Sequence, residues 1–351
     1  MQIKIQPFTV NKRVPLKISR GTTSQSTNIW LRIEADGIEG WGEATPFSIG
    51  TLQQSTAEIM TALTELTPVL VKFHPLQHQS INKMLRESDW QRIPSAVVAA
   101  IDLAIHDWLG KKANMPLWQL WGLEPAMASP ISVTVGINSP AGAQTRVRQW
   151  QEIFDCNFFK LKLGSPAGIA ADQAMFQAVQ EVVPQAKLTV DANGGWDLEQ
   201  AILMTEWLSQ RGVSYVEQPL ARGAEADLPR LQQASPLPVF VDESFFVSQD
   251  LPKLVGRVAG INIKLMKCGG LSEALRSIHA ARAYGLQVMI GCYSDSCLSN
   301  TAAAQLGSLV DYLDLDSHLN LLEDPFMGAT IQEGKLLPSN LPGLGIQLHS
   351  K

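Results

Sequence analysis

The sequence predicts an α/β protein in which a (β/α)8, TIM-type barrel carries a separate α+β capping domain. Three observations predict it. The opening 122 residues pass from strand-like to helix-like periodicity. From about residue 126, eight short apolar runs follow, with helical stretches between several of them. Charged residues end those runs at intervals of about one βα unit.

The elements follow in chain order. Residues 3–10 and 28–34 alternate polar and apolar side chains as half-buried strands do, and Asp36-Gly37 marks a turn. Between them, residues 17–27 are polar and rich in Ser, Thr and Gly, which reads as a mobile loop. Residues 95–111 carry apolar side chains at helical spacing. The apolar runs are 131–137, 158–163, 188–190, 214–216, 239–241, 261–265, 288–290 and 312–315, with helices predicted over 166–183 and 198–211. Eight strands within about 190 residues match the closing number of a barrel; a doubly wound open sheet is the alternative. The capping domain is expected over residues 1–125 and the barrel over 126–324, with residues 325–351 returning to the capping domain.

Composition narrows the function. Of 351 residues, 45% are hydrophobic, enough for two cored domains. The net charge is −5 and no Lys/Arg run stands out, so no nucleic-acid partner is expected. No stretch approaches the 18 or so apolar residues of a membrane span, and residues 1–6 lack a signal-peptide core. Cys156, Cys268, Cys292 and Cys297 form no C-x-x-C pair and read as free thiols of a reducing compartment. A soluble, cytoplasmic protein with a small-molecule partner is expected.

The polar residues on the barrel strands carry the chemistry. In a barrel the C-terminal strand ends form the active-site face. Asp191, Glu217 and Asp242 end three successive runs, spaced by 26 and 25 residues. Three converging carboxylates repel, and hard oxygen ligands on rigid strands favour Mg²⁺; capping the next helix is the alternative role for each acid. Lys160 and Lys162 are two apart and share a strand face. Burial and a neighbouring cation would lower the pKa of Lys162 and make it a neutral base. Lys264, across the ring, would be a second base. Two amines flanking a carbon acid can invert its stereocentre, with the metal stabilising the enediolate. A solvated, snorkelling chain is the alternative for a single strand-end lysine. Lys267, three residues beyond Lys264, is expected to face away and to be structural.

In this order and spacing, Gly40-Trp41-Gly42-Glu43-Ala44, the helix at 100–110, Lys160-x-Lys162, Asp191-x-Asn193, Glu217-Gln218-Pro219, Asp242-Glu243-Ser244 and Asn262-Ile263-Lys264 through Cys268-Gly269-Gly270 resemble the enolase superfamily, muconate lactonizing enzyme subgroup, over essentially the whole chain. The resemblance implies one Mg²⁺ on Asp191, Glu217 and Asp242, acid/base lysines at 162 and 264, and Lys160 supporting Lys162. It implies that segments near 17–27 and 47–54 close over the mouth, and that the chain forms a homo-oligomer.

Within the subgroup, Asp314-x-Asp316 resembles the dipeptide epimerase signature: two acids on one face suit the ammonium of a dipeptide. A helix cap or a structural acid pair is the alternative. Thr134 and Cys292-Tyr293-Ser294 match substrate-lining positions. Arg20 matches, loosely, an arginine that L-Ala-D/L-Glu epimerases use for the glutamate side chain; anchoring its own loop is an equal alternative. Asn193, Glu243 and Asp295 are expected to support the site from behind. The rivals are o-succinylbenzoate synthase, N-acylamino acid racemase or cycloisomerase chemistry on the same scaffold, and a non-catalytic binding protein.

Overall fold

The computed structural model describes residues 1–87 and 93–349. The expected capping-domain range includes residues 88–92, and the expected C-terminal return includes 350 and 351; these lie outside the described residues.

Three antiparallel strands open the chain: β1 (Gln2–Ile18), β2 (Gly21–Ala35) and β3 (Ile38–Ala44). Asp36 and Gly37, at φ 53° and 72°, supply the left-handed pair that a two-residue hairpin requires. A small hairpin follows, β4 (Phe47–Ile49) and β5 (Leu52–Gln54), then helices α1 (Thr56–Leu70), α2 (His78–Glu87), α3 (Ser95–Ala113) and the one-turn α4 (Leu117–Leu120). Helix α3 is buried almost all round. It lies so close on β3 that a Cβ at Gly40 or Gly42 would run into the carbonyl oxygens of Ala104 and Ala100. That approach explains the two glycines around Trp41.

Residues 17–27 are not a loop. β1 and β2 stay paired up to Ile18 opposite Gly21. The β2 arm of the tip, residues 21–25, is exposed throughout, so no polar/apolar alternation betrays the strand there.

Eight parallel strands then form one sheet in sequence order: β6 (Val133–Val135), β7 (Phe158–Lys162), β8 (Lys187–Asp191), β9 (Val216–Glu217), β10 (Val239–Val241), β11 (Gly260–Lys264), β12 (Gln287–Gly291) and β13 (Tyr312–Asp314). A parallel bridge between Ile131 and Leu313, with the Ser132 N–H donating to the Leu313 carbonyl at 2.9 Å, brings the last strand back to the first. The open-sheet alternative is thereby excluded. Helices α5 (Pro140–Ile153), α6 (Ile169–Val182), α7 (Leu198–Ser209), α8 (Leu228–Ala234), α9 (Leu265–Cys268), α10 (Leu271–Ala283) and α11 (Cys297–Ala304) lie along the connections. The strands are covered on both sides and are therefore near-continuous apolar runs. Their polar exceptions cluster at the C-terminal ends.

Past the barrel, Phe326–Met327 pairs antiparallel with Gln347–Leu348. The Phe326 ring meets Phe8 and Trp30 edge-on at 5.4 and 5.2 Å, against the N-terminal sheet. Among the described residues no helix is long and apolar enough to cross a membrane.

Candidate active site

Asp191 and Glu217, the last residues of β8 and β9, and Asp242, one past β10, are buried and adjacent around the barrel mouth. Ladder hydrogen bonds fix the strands, so the carboxylates cannot move apart. Burial first, then the charge of Asp191, pushes the Glu217 carboxyl up to about 7. Neighbouring amides orient the acids. The Asn193 N–H donates to Asp191 Oδ1 at 2.8 Å, and Asn262 Nδ2 donates to Glu217 Oε1 at 2.6 Å. Buried, rigid, all-oxygen and mutually repelling, this trio fits a small hard divalent cation.

The lysines flank it. Lys162 Nζ donates to Asp191 Oδ2 at 2.6 Å on one side, and Lys264 Nζ lies 2.8 Å from Asp242 Oδ2 on the other. Burial opposes the charge of Lys264, but Asp242, with Tyr293 and Glu217, holds its ammonium well above the usual range. Lys160 shares the inward face of β7 with Lys162, yet it is enclosed. Its Nζ donates to Asp314 Oδ2 at 2.6 Å and is paired with Glu217. Burial is outweighed there by Asp314, Glu217 and Asp191, which keep Lys160 charged. The expectation that a surplus cation at Lys160 tunes Lys162 therefore needs correction: carboxylates already balance that cation. Lys267 was expected to face away on a strand; it sits on α9 instead and turns its ammonium onto Asp242. It is fully buried and bonds the Asp242 carboxylate and the Phe245 carbonyl, so it also restrains one acid of the trio.

Capping-domain segments cover the mouth. Ser19 and Arg20, at the β1–β2 tip, donate to the Asn193 carbonyl at 3.0 and 2.8 Å, and Arg20 pairs with Glu243 at 2.7 Å. Burial and then Asp242 and Asp191 push the Glu243 carboxyl up, which makes it a strong acceptor for that guanidinium. Phe47, on β4, stacks on Tyr293 with ring centroids 4.6 Å apart, and Lys264 lies 4.4 Å from the centre of the Tyr293 ring. A cavity of about 560 Å³ opens between these segments, lined by Leu16, Ile18, Arg20, Phe47, Tyr293 and Ser294, with Lys162 and Lys264 at its base.

A second, smaller cavity of about 70 Å³ adjoins Lys162 and is lined by Thr134, Cys292, Tyr293, Asp314 and Asp316, among others. Asp314 and Asp316 differ: Asp314 ends β13, whereas Asp316 lies two residues past the strand, at the start of a 3-10 turn. Asp314 is held by Lys160 and by the Ser132 hydroxyl at 3.1 Å. Asp316 takes the Thr134 N–H at 2.6 Å; burial, then Asp314, pushes its carboxyl up. Cys292 lies behind, its thiol donating to the Asp314 carbonyl at 3.2 Å. Asp295 accepts the Tyr293 N–H at 3.1 Å and is pushed up to about 6 by burial and Glu43.

Glu43, within the motif at residues 40–44, has a role that the motif alone does not reveal. Its carboxylate accepts from Asn28 Nδ2 at 2.6 Å, the Ser296 hydroxyl at 2.6 Å and the N–H groups of Ser296 and Ser299 at 3.0 Å each. It ties β3 to the loop that carries Tyr293. A charge directly after a glycine-flanked strand centre is its only sequence signal. Outside the mouth, His78, Asp102 and His106 bring ligand atoms within 4.8 Å of one another. They form a hydrogen-bonded strut, with Ser272 of α10 donating to Asp102.

A barrel whose mouth gathers three carboxylates between two amines, under a lid from another domain, defines a class of metal-assisted proton-transfer enzyme. Residues 1–122 match the mandelate racemase / muconate lactonizing enzyme N-terminal domain, and residues 142–351 match the enolase C-terminal domain-like family. The chain belongs to this mandelate racemase / muconate lactonizing enzyme family of the enolase superfamily. It is 44% identical to the hydrophobic dipeptide epimerase of a Flavobacteria bacterium (strain MS024-2A), over 99% of this chain and 98% of that one. It is 32% identical to the L-Ala-D/L-Glu epimerase of Bacteroides thetaiotaomicron, over 99% and 88%. The dipeptide epimerase of Enterococcus faecalis, solved with Mg and L-Leu-L-Tyr, superposes with a TM-score of 0.89 at 31% identity, over 98% of both chains.

Proposed function

We propose that the chain is an Mg²⁺-dependent isomerase that inverts the α-carbon beside the C-terminal carboxylate of a dipeptide. The observation that carries this reading is the flanking of one buried carboxylate trio by two amines, Lys162 at Asp191 and Lys264 at Asp242. Asp191, Glu217 and Asp242 would hold the ion, which supplies positive charge for the substrate carboxylate as its α-proton leaves. One lysine removes that proton from one face of the α-carbon, and the other returns a proton to the opposite face. Lys160, enclosed by Asp314 and Glu217, moves no proton; its fixed charge sits near the developing negative charge. Asp316, facing the smaller cavity, takes the dipeptide ammonium, while Asp314 stands behind it on Lys160.

The reacting residue is proposed to be apolar. Leu16, Ile18, Phe47 and Tyr293 line the larger cavity, and Arg20 is engaged by Glu243 and the Asn193 carbonyl. This favours the anchoring role of Arg20 over glutamate recognition, and the 44% identical relative is named for hydrophobic dipeptides. An o-succinylbenzoate synthase, N-acyl racemase or cycloisomerase has no use for an ammonium acceptor at Asp316. The family resemblance implies a homo-oligomer, and the free thiols favour a reducing, cytoplasmic setting.

The test is a mixed L,L-dipeptide library incubated in D₂O with enzyme and Mg²⁺ and read by mass spectrometry. Apolar C-terminal dipeptides are expected to gain one deuteron; EDTA should stop the gain and Mg²⁺ restore it. Exchange of N-acyl amino acids with none of dipeptides would overturn the reading.

A further inference from the structure

β1 carries a lysine where its pattern calls for an apolar residue. Inward positions of β1 recur every second residue, and Lys12 follows Val10 in that phase. Both are buried, Lys12 at 7% exposure. The β1–β2 register shifts between Asn11 and Leu16, so this stretch leaves β2 and leans on the barrel instead. Lys12 bridges to Leu321, while Val14 exchanges hydrogen bonds with the Asn320 side chain at 3.2 and 2.8 Å.

The shift delivers Lys12 to the wall of the 70 Å³ cavity, beside Arg146 and Asp316. Arg146 is also 7% exposed; it stacks 4.0 Å over Trp150 and donates to Asn320 Oδ1 at 2.9 Å. No ion pair or side-chain hydrogen bond of Lys12 is found among the described residues. Burial without a bonded partner holds its ammonium below the usual range, although Cys292, Asp316 and Asp295 oppose this at a distance. Lys12, Arg146 and Lys162 therefore share with Asp314 and Asp316 the wall of a space the size of a short side chain; Lys162 is paired with Asp191 and Asp314 with Lys160, whereas Lys12 has no such partner among the described residues.

We infer that this cavity is the subsite for the side chain of the substrate's first residue, and that Lys12, with Arg146 behind it, selects an acidic side chain there. The inference rests on the proposed dipeptide reading. With the ammonium at Asp316, the side chain on the same carbon enters the same cavity. A carboxylate gives Lys12 its missing partner, whereas an apolar side chain leaves a buried ammonium unpaired. A basic side chain would add a further cation beside Lys12, Arg146 and Lys162.

The experiment compares kcat/KM for L-Asp-L-Leu, L-Ala-L-Leu, L-Lys-L-Leu and N-succinyl-L-leucine in the wild type, Lys12→Met and Lys12→Arg. The wild type should favour L-Asp-L-Leu over L-Ala-L-Leu by about tenfold, the equivalent of one charge-assisted hydrogen bond, and should turn over L-Lys-L-Leu least. In Lys12→Met the Asp/Ala ratio should fall to about one, and in Lys12→Arg it should persist. An alanine preference in the wild type, or a ratio unmoved by Lys12→Met, overturns the inference and leaves the dipeptide reading standing. Turnover of N-succinyl-L-leucine alone overturns both. The wild-type ratio decides the matter even if Lys12→Met does not fold.

Discussion

Lys160 and Lys162 stand two residues apart on one strand face and do different work. Lys160 neutralises Asp314 and Glu217 inside the barrel, so its removal leaves uncompensated buried charge. We predict that Lys160→Met lowers stability by roughly 3–5 kcal/mol in urea unfolding, the usual cost of breaking a buried pair from one side. Among the described residues Lys162 forms an ion pair only with Asp191, and it borders both cavities. Its role is chemical: Lys162→Ala should unfold cooperatively yet lose at least about 10²-fold in epimerisation rate. Retention of full activity would remove Lys162 from the mechanism. Asp316 separates the substrate classes. Asp316→Asn should raise KM for a dipeptide far more than for an N-acyl amino acid, since only the dipeptide brings an ammonium; equal effects on both would count against that contact.

At the scale of elements, the site is assembled by segments that must be held against one another. Among the described residues Glu43 of β3 accepts five hydrogen bonds, three of them from the loop before α11 and the helix's first turn. Glu43→Ala strands those donors in a buried place. A loss of about 3 kcal/mol or more is expected, each hydrogen bond to a charged acceptor being worth roughly 1.5–3 kcal/mol. An unfolding midpoint equal to wild type would show that the junction does not depend on Glu43. Arg20 pins the β1–β2 tip across the mouth through Glu243 and Asn193. Arg20→Ala should therefore raise KM for every dipeptide by a similar factor. A loss confined to dipeptides ending in glutamate would instead make Arg20 a substrate-recognition residue.

At the scale of the whole molecule, the capping domain and the barrel share one apolar core, and buried polar contacts cross between them. One is the strut of Asp102, bonded to His78, His106 and Ser272. Burial would raise the Asp102 carboxyl, but His106, then His78, holds it far below its ordinary value. A depressed carboxylate contributes stability above its unfolded pKa of 3.8, and this is lost as pH falls below that value. Asp102→Asn should therefore be less stable than wild type at pH 7, with the gap in urea midpoint narrowing below about pH 4. A gap independent of pH would mean that the charge of Asp102 contributes nothing. The same scale explains what the sequence could reveal. Barrel strands are covered on both faces, so they read as apolar runs, and the polar interruptions Asp191, Glu217 and Asp242 recur with the βα unit. Residues 21–25 at the β1–β2 tip carry no pattern because both faces of that arm meet water. Lys12 and Arg146 became functional candidates only once the register shift in β1 and the turn of α5 brought them together. The division of labour between Asp314 and Asp316 depends on which acid Lys160 reaches, and spacing does not encode that.

The central claim is that Lys162 and Lys264 address opposite faces of one α-carbon. Solvent deuterium exchange of the α-proton, followed separately for an L,L- and an L,D-dipeptide in Lys162→Ala and Lys264→Ala, tests it most directly. Neither variant should epimerise, and each should still exchange one diastereomer, a different one in each variant. Exchange of the same diastereomer by both variants, or epimerisation at the wild-type rate by either, would contradict it.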